Sequence, residues 1–498
     1  MTTPLPGPLE GSPDGSPRRR VAVAGAGGYV GERLISRLVD TGTDVTALVR
    51  RAAAVGRRPH VDVVTVDVSD TDRLAEALQG CAVAYYLVHS MAGGEGFPER
   101  DRALARSFAE ASERAGVGRI VYLGGLGHGE LSEHLASRHE TGAVLGSTGI
   151  PVVELRAAVV LGAGSISFEM VRYLTERLPM MVCPRWVNTR VQPIAEADLL
   201  AYLVEAGGVE PGTYEIGCPD VTTYRQMMDD YARVRGLRPR FIVKVPLLSP
   251  SLSAHWVDLV TPVDAVVSHA LIGSLANEVV VRDRQRTDAA FTVRPLSSSD
   301  AIGAALDRQA EQVPGDLFFR PQGLLDGIYT ARSFARVWAR SVGTDGEVAG
   351  VRADLDNAGG DLAWYGVPRA WGLRLAMGRV FGEDLRLHRP ERVEPGERVD
   401  WWDVEVHDGR TLVLGTTSWF CGEAWLGYRV SGTHPTRIEQ VGALRTKGLA
   451  GQVYWWLLWP VHQVVFRAMV HHRVRSARHL ARRLGPGAVL PPGERPGL

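Results

Sequence analysis

The chain has 498 residues, 45% hydrophobic and 22% charged, enough for two or three globular domains with sizeable cores. Lysine plus arginine and aspartate plus glutamate both number 56, so no net field points to nucleic acid or another polyanionic partner. The four cysteines (Cys81, Cys183, Cys218, Cys421) are scattered without a CxxC pair, which argues against a disulfide framework or zinc cluster and fits buried thiols in a reducing, cytoplasmic setting.

Residues 1–19 are rich in Pro, Gly and Ser without an apolar core, and are expected to be a disordered tail, neither signal peptide nor anchor. The first strand is predicted at residues 21–24 and ends in Gly25-Ala-Gly-Gly28-Tyr29-Val30-Gly31. Helical periodicity follows through Leu34, Ile35 and Leu38. Strand, glycine turn and helix present free N–H groups and a positive helix end to a phosphate. Gly25 suits the tight turn, Gly28 the approach of a pyrophosphate, and Gly31 close packing of helix on strand. A second strand at 44–49 runs into Arg50-Arg51. An acid here would bind the ribose hydroxyl of NAD, whereas arginine accommodates the 2′-phosphate of NADP; NADP(H) is therefore the expected cofactor and NAD(H) the alternative.

Strands follow at 61–66, 82–88, 119–123 and 151–155, alternating with helices at 70–78, 100–115 and 134–145. This alternation predicts a doubly wound parallel sheet whose strand ends, at Gly25, Arg50, Asp67, Val88 and Gly124, converge on one crevice. A further amphipathic helix is predicted at 222–234, capped by Thr222 or Thr223, and another at 300–311.

The glycine motif, Val66-Asp67-Val68, Tyr86-Leu87-Val88-His89-Ser90 and Ile120-Val121-Tyr122-Leu123-Gly124-Gly125 together resemble the atypical or extended short-chain dehydrogenase/reductases, near the NmrA-like branch. The resemblance runs over residues 20–310, through Leu155-Arg156, Gln192-Pro193-Ile194 and the stretch from Tyr214 to Asp220. It implies that Asp67 and Val68 flank the adenine, and that Leu87, Val88 and His89 line the ribose and nicotinamide. It also implies a variable substrate lobe around Ser165, Phe168 and Met170, Trp186, Trp256 and Thr261-Pro262.

Catalytic members of that family use a Tyr-xxx-Lys pair and a serine at the end of the fifth strand. Here the strand ends in Gly124-Gly125, and the helix places His134 and Arg138 where the pair is expected. His134 could act as a general acid near neutral pH and Arg138 could hold a ribose or phosphate. The alternative is two surface-facing helix residues in a domain that has lost proton transfer. Tyr122 and His128 read as structural. Trp186 reads as an aromatic capping the lobe's core, with Arg185 and Arg190 either solvated or receiving an anion. Asn277, Asp264 and His269 suggest no chemistry.

After residue 310 the pattern changes. Successive strands at 398–406, 410–416, 424–430 and 436–444, then one long helix over 451–483, predict an antiparallel α+β domain spanning 311–485, with a disordered tail at 486–498. This part resembles helix-grip folds of the START or polyketide-cyclase type. Its stretch from Gly448 to Trp456, with Trp459, His462 and Phe466, is similar to a domain of unknown function often fused to NmrA-like reductases. An apolar cavity among its tryptophans is the expected ligand site. The helix is too interrupted to span a bilayer. Arg473, Arg475, Arg478, Arg482 and Arg483 either complement the helix dipole or rest on an anionic membrane surface.

The whole reads as an NADPH-dependent oxidoreductase acting on a small apolar acceptor such as a quinone, flavin or lipid-like carbonyl. The alternative is a non-catalytic NAD(P)-binding sensor or a lipid-binding, membrane-peripheral factor. The sequence carries no signal of oligomeric state.

Overall fold

The computed structural model describes residues 19–50, 58–89, 96–178, 180–183, 185–244, 274–275, 277–311, 327–330, 336–344, 348–380, 382–383, 385–419, 421–431, 436–446 and 448–484. Arg51, Ser90, Trp256, Thr261, Pro262, Asp264, His269 and both expected tails, apart from Arg19, lie outside these residues. The chain divides into two compact units, one ending at Gln309 and the other beginning at Ala310.

The first unit opens with β1 (Arg20–Ala24), α1 (Tyr29–Asp40), β2 (Asp44–Val49), β3 (Val61–Thr65), α2 (Thr71–Leu78) and β4 (Val83–Tyr86). It continues with α3 (Phe97–Arg114), β5 (Arg119–Gly125), α4 (Glu133–Leu145) and β6 (Val152–Ala157). Then come β7 (Val160–Leu161), α5 (Ile166–Arg177), β8 (Met180–Cys183), β9 (Arg190–Val191), β10 (Ile194–Ala195), α6 (Glu196–Ala206) and β11 (Gly212–Ile216). The unit closes through β12 (Thr222–Thr223), α7 (Tyr224–Val234), β13 (Phe241–Lys244), α8 (Arg284–Ala290) and α9 (Ser298–Glu311).

Seven strands form one parallel sheet in the order β11-β6-β5-β4-β1-β2-β3. Period-two alternation sends Val21 and Val23 to one face, against Leu34, Leu38, Leu199 and Leu203 of α1 and α6. Ala22 and Ala24 meet Leu74, Leu78 and Phe108 of α2 and α3 on the other. Both faces are covered, as a parallel sheet requires. Strand order reverses between β1 and β4, so a crevice opens where Gly25 follows β1 and Leu87 follows β4. A separate core joins α5 and α7 around Phe168, Leu174, Met227 and Tyr231.

The second unit contains β14 (Gly327–Thr330), β15 (Arg336–Thr344), α10 (Val348–Asp356), α11 (Pro368–Val380), β16 (Arg398–Val399), β17 (Trp402–His407), β18 (Thr411–Ser418), β19 (Gly422–Ser431), β20 (Thr436–Thr446), α12 (Gly448–Leu457) and α13 (Trp459–Leu484). Its strands form an antiparallel sheet ordered β14-β15-β20-β19-β18-β17-β16. Phe466, Met469 and Ala477 of α13 share a core with Leu412, Leu426 and Tyr428.

Three expectations are corrected here. The single strand predicted over 398–406 is a hairpin, turned at Asp400 and Trp401. Asp400 adopts φ +54°, and its carboxylate accepts backbone N–H groups of Gly360 and His388 and the Tyr365 hydroxyl. The closing helix is two helices parted at Leu458, because Pro460 has no N–H to continue the ladder. Arg473 is no surface cation: it is 2% exposed and pairs with Asp354 of α10 at 2.9 Å. Among the described residues no helix is long and apolar enough to cross a membrane.

Candidate functional site

The crevice begins at the glycine turn. Gly25 has φ +82°, and a Cβ there would lie 2.7 Å from the Leu87 carbonyl oxygen, so β1 and β4 close on each other only because this residue has no side chain. The Gly28 N–H donates to the Gly25 carbonyl at 2.9 Å, fixing the turn. A Cβ on Gly31 would come within 3.0 Å of Ala26 Cα and the Gly25 carbonyl carbon. Asp70, Ser132, Ser165 and Thr223 cap α2, α4, α5 and α7 through their side chains, whereas Gly28 offers α1 none. The first-turn N–H groups of α1 thus point into the crevice without a side-chain acceptor, a cradle that fits a pyrophosphate.

Tyr29 and Val30 line the inner wall. The Tyr29 hydroxyl bonds Glu196, and its ring carries the Arg33 guanidinium 3.9 Å above it. Arg33 also pairs with Glu196 at 3.0 Å. Burial, with the Glu196 charge beside it, pushes the Tyr29 phenol far above its usual range, so this tyrosine is a locked strut and not an acid. At the outer end the Asp67 carboxylate accepts the Ser69 N–H and hydroxyl at 2.9 and 2.7 Å, and these bonds hold its pKa below the usual range. Arg50 is exposed at the end of β2 and adds to that lowering. Val68 is half-buried and its carbonyl accepts the Ser107 hydroxyl at 2.7 Å.

Beyond Leu87 and Val88, both half-buried, His89 stacks on His134 with ring centroids 4.9 Å apart and planes 17° apart. Behind His89, its Nδ1 lies 3.5 Å from the buried carboxylate of Asp101. Burial, then the His89 and Arg138 charges, lowers His134 to about 3. Burial lowers His89 as well. The ring given the part of a general acid near neutral pH is therefore neutral there; it can donate a hydrogen bond but carries no spare proton. Arg138 is buried, donates to the Leu123 carbonyl and stands 5.0 Å over the Tyr122 ring, whose hydroxyl donates to the Arg138 carbonyl at 2.9 Å. His134 and Arg138 are thus brought together with Gly124 and His89 on one wall, not left on the surface.

The wall belongs to a cavity of about 340 Å³ that runs from Tyr29, His89 and His134 into an apolar chamber under α5, formed by Met170, Leu174, Trp186 and Met228. Trp186 meets Tyr224 edge-on at 6.0 Å. Arg190 is paired with Glu278 at 3.2 Å on the exposed surface, which leaves it out of the chamber. His128 pairs with Glu215 at 3.2 Å. Among the described residues no cluster of three His, Cys, Asp or Glu could hold a metal ion.

Sequence reasoning missed two positions. Asp101 lies among other charged residues of α3 and carries no motif. Asn277 latches the strand-to-helix loop: its side chain donates to the Glu130 carbonyl at 2.6 Å and accepts the Ser132 N–H at 3.2 Å. It thereby holds Ser274 and Leu275 at the chamber's edge.

Residues 25–151 match the model of a family described as NAD(P)H-binding, and residues 328–469 match a family described as a protein of unknown function, DUF2867. The first unit thus carries an NAD(P)H-binding match on a Rossmann-like sheet, and the second is assigned no activity by its match. Over 113 residues the chain is 31% identical to the 3 beta-hydroxysteroid dehydrogenase/Delta 5→4-isomerase of two Mycobacterium tuberculosis strains, covering 21% of this chain. It spans only 30% of the length of those relatives. Over 239 residues it is 27% identical to ceramide reductase of Caulobacter vibrioides, covering 45% of this chain and 72% of the relative. Among solved structures, the Bordetella bronchiseptica enzyme WbmG in complex with NAD is similar over 60% of this chain and 96% of its own, with a TM-score of 0.48 and 17% identity.

Proposed function

We propose that this protein is an NADPH-preferring oxidoreductase that reduces an apolar, lipid-like acceptor. The observation that carries the reading is the continuous cavity from Tyr29 and Val30 in the first turn of α1 past His89 and His134 into an apolar chamber. A bound nicotinamide dinucleotide supplies the hydride. The first turn of α1 would hold its pyrophosphate, and Arg50, with no acid beside it on β2, favours a 2′-phosphate. The neutral His134 donates a hydrogen bond to the acceptor's oxygen, and Met170, Leu174 and Trp186 keep water from its apolar body. The steroid and ceramide substrates named for the two relatives are of the same apolar class.

A second reading, an NAD(P)-binding sensor without turnover, is favoured by His134, which burial keeps uncharged at neutral pH where the expected proton donor would stand. Protein-fluorescence quenching by NADPH and NADH, followed by NADPH consumption with quinones, steroid ketones and long-chain ketones, separates the two. Turnover on an apolar acceptor supports the enzyme; tight binding without turnover across the panel supports the sensor; no binding overturns both.

We read the second unit as helix-grip-like. The support is its strand order, in which the long β15 sits beside the last strand β20, together with α13 packed against that sheet. We place the protein in the cytoplasm. Peripheral contact with anionic membrane would rest on the exposed Arg475, Arg478 and Arg482, without Arg473, and liposome flotation tests it.

A further inference from the structure

The closing helices of the second unit present one long face to solvent. The chain passes from α12 to α13 without a loop: the Leu458 N–H donates to the Tyr454 carbonyl at 3.1 Å and the His462 N–H to the Leu458 carbonyl at 2.8 Å. On the inner side Trp455 shares a core with Leu444, and Phe466, Met469 and Ala477 share one with Leu412 and Leu426. On the outer side exposed residues recur every three or four positions, as one helical face requires. Val453, Trp456, Leu457, Val461 and Val464 come first, then Arg467, Arg475, Arg478 and Arg482. Leu457 and Val464 are 73% and 68% exposed. Trp419, in the β18–β19 turn whose Cys421 carbonyl abuts Gly451 of α12, is 64% exposed as well. Exposed apolar surface on this scale marks a contact with a partner or a membrane. Residues 448–484 contain no aspartate or glutamate, and Arg473 is turned inward to Asp354, so every carboxylate-free turn of this face is apolar or cationic.

We propose that this face docks on an anionic lipid bilayer, with Trp456, Leu457 and Val464 sunk among the acyl chains and the arginines resting on the headgroups. The proposal rests on the reading of peripheral membrane contact given above and deepens it, moving the main attachment from charge to the apolar half of the face. A bilayer, and not a protein, follows from the order of the chemistry: an apolar stretch and then a row of cations with no acid among them match a hydrocarbon layer beneath an anionic surface. Two exposed tryptophans, Trp419 and Trp456, suit the boundary between those layers. The apolar stretch from Val453 to Val464 is about 17 Å long. That is well short of the roughly 30 Å of a hydrocarbon core, so the helix lies in the interface and does not cross it.

The test is flotation of the full chain with phosphatidylcholine vesicles, with and without phosphatidylglycerol, at low salt and at about 0.5 M NaCl, which screens exposed charges. Beside it, tryptophan fluorescence is quenched by lipids brominated on their acyl chains. The expected result is that the chain floats with the phosphatidylglycerol vesicles, keeps most of that binding in high salt, and is quenched by the bromolipid. Trp456→Ser with Leu457→Ser weakens partitioning by about tenfold or more at both salt strengths, from the apolar area lost. Arg475→Ala with Arg478→Ala and Arg482→Ala weakens it at low salt alone. Binding that high salt abolishes, or that the Trp456→Ser, Leu457→Ser pair leaves intact, overturns the insertion and leaves the electrostatic contact standing. No binding to any vesicle overturns both. A dimer in sedimentation that the same pair dissociates, without flotation, assigns the face to a second copy and overturns the proposal. Should the double variant fail to fold, bromolipid quenching of the unaltered chain still decides, because contact through charge alone keeps the tryptophans away from the acyl bromines.

Discussion

Replacing Gly31 by alanine is the sharpest perturbation of the dinucleotide cradle. The added Cβ would stand 3.0 Å from both Ala26 Cα and the Gly25 carbonyl carbon, with the Gly25 oxygen nearer still. All are backbone atoms, so no side chain can swing aside. Relief requires the Gly25 carbonyl to turn, and that carbonyl holds the Gly28 N–H at 2.9 Å. Overpacking of this kind costs about 1–3 kcal/mol. Without nucleotide the loop can relax, but binding needs the turn intact, so the cost falls on binding: affinity for NADPH drops about tenfold to hundredfold. The assay is quenching of protein fluorescence by NADPH, with Gly303→Ala as control. Gly303 lies within α9, has open space where a Cβ would go, and should if anything gain about 0.5–1 kcal/mol of helix stability. Unchanged NADPH affinity in Gly31→Ala would refute the placement of the pyrophosphate at this turn.

Three further outcomes are expected. Replacing Arg50 and Arg51 by alanine lowers the NADPH-over-NADH affinity ratio by at least fivefold, from the loss of charge-assisted contacts; an unchanged ratio removes their assignment. With whichever acceptor turns over, the rate is flat in its dependence on His134 between pH 5 and 8, because that ring titrates at about 3. His134→Phe then loses about a hundredfold in kcat while His134→Gln keeps part of it, and a limb near pH 6.5 that vanishes in His134→Gln would contradict this. The same ring makes stability fall with acid. The unfolded chain takes up its proton below about 6.5 and the folded one only near 3, so the folded state loses about 2 kcal/mol between pH 8 and pH 5 from this group. Urea denaturation of the protein and of His134→Phe at both pH values reads the difference, which shrinks in the variant.

The first sheet was legible because parallel strands covered on both faces read as continuous apolar runs; β2 falls at the predicted residues 44–49. The crevice followed from strand order and the glycines. What stayed hidden depended on contacts distant in sequence. Asp101 reaches His89, which follows β4, from within α3, and Asn277 reaches Glu130 across about 150 residues. In the second unit β15 pairs with β20 about 100 residues on, and no local periodicity records that register. The break at Asp400 was missed because its positive φ is held by Gly360, Tyr365 and His388, none of them neighbours in the chain.

The residues that stand where a Tyr-Lys-Ser set was expected are interlocked. A Cβ at Gly124 would lie 2.8 Å from Glu154 Oε1, and one at Gly125 would lie 2.9 Å from Leu135 Cδ2. Glu154 is itself fixed by Arg156 at 2.9 and 3.1 Å and by the Thr213 hydroxyl at 3.2 Å, and its carboxyl lies 2.9–3.0 Å from where a Cβ on Gly142 would be. The strand end thus packs Gly124 against a held carboxylate and Gly125 against Leu135, and either contact crowds a side chain there. Among the described residues, the polar groups beside the cavity include His134 and His89, both held neutral by burial, and the Arg138 guanidinium tied to the Leu123 carbonyl. Reduction of an isolated carbonyl leaves an alkoxide that needs an acid at once. Reduction of a quinone leaves a phenol-like oxygen, with a pKa of about 10, which a hydrogen bond can stabilise until water protonates it. If the first unit is the reductase proposed above, this chemistry predicts that the turnover panel ranks quinones above steroid and long-chain ketones, and the reverse order would refute the hydrogen-bond role given to His134.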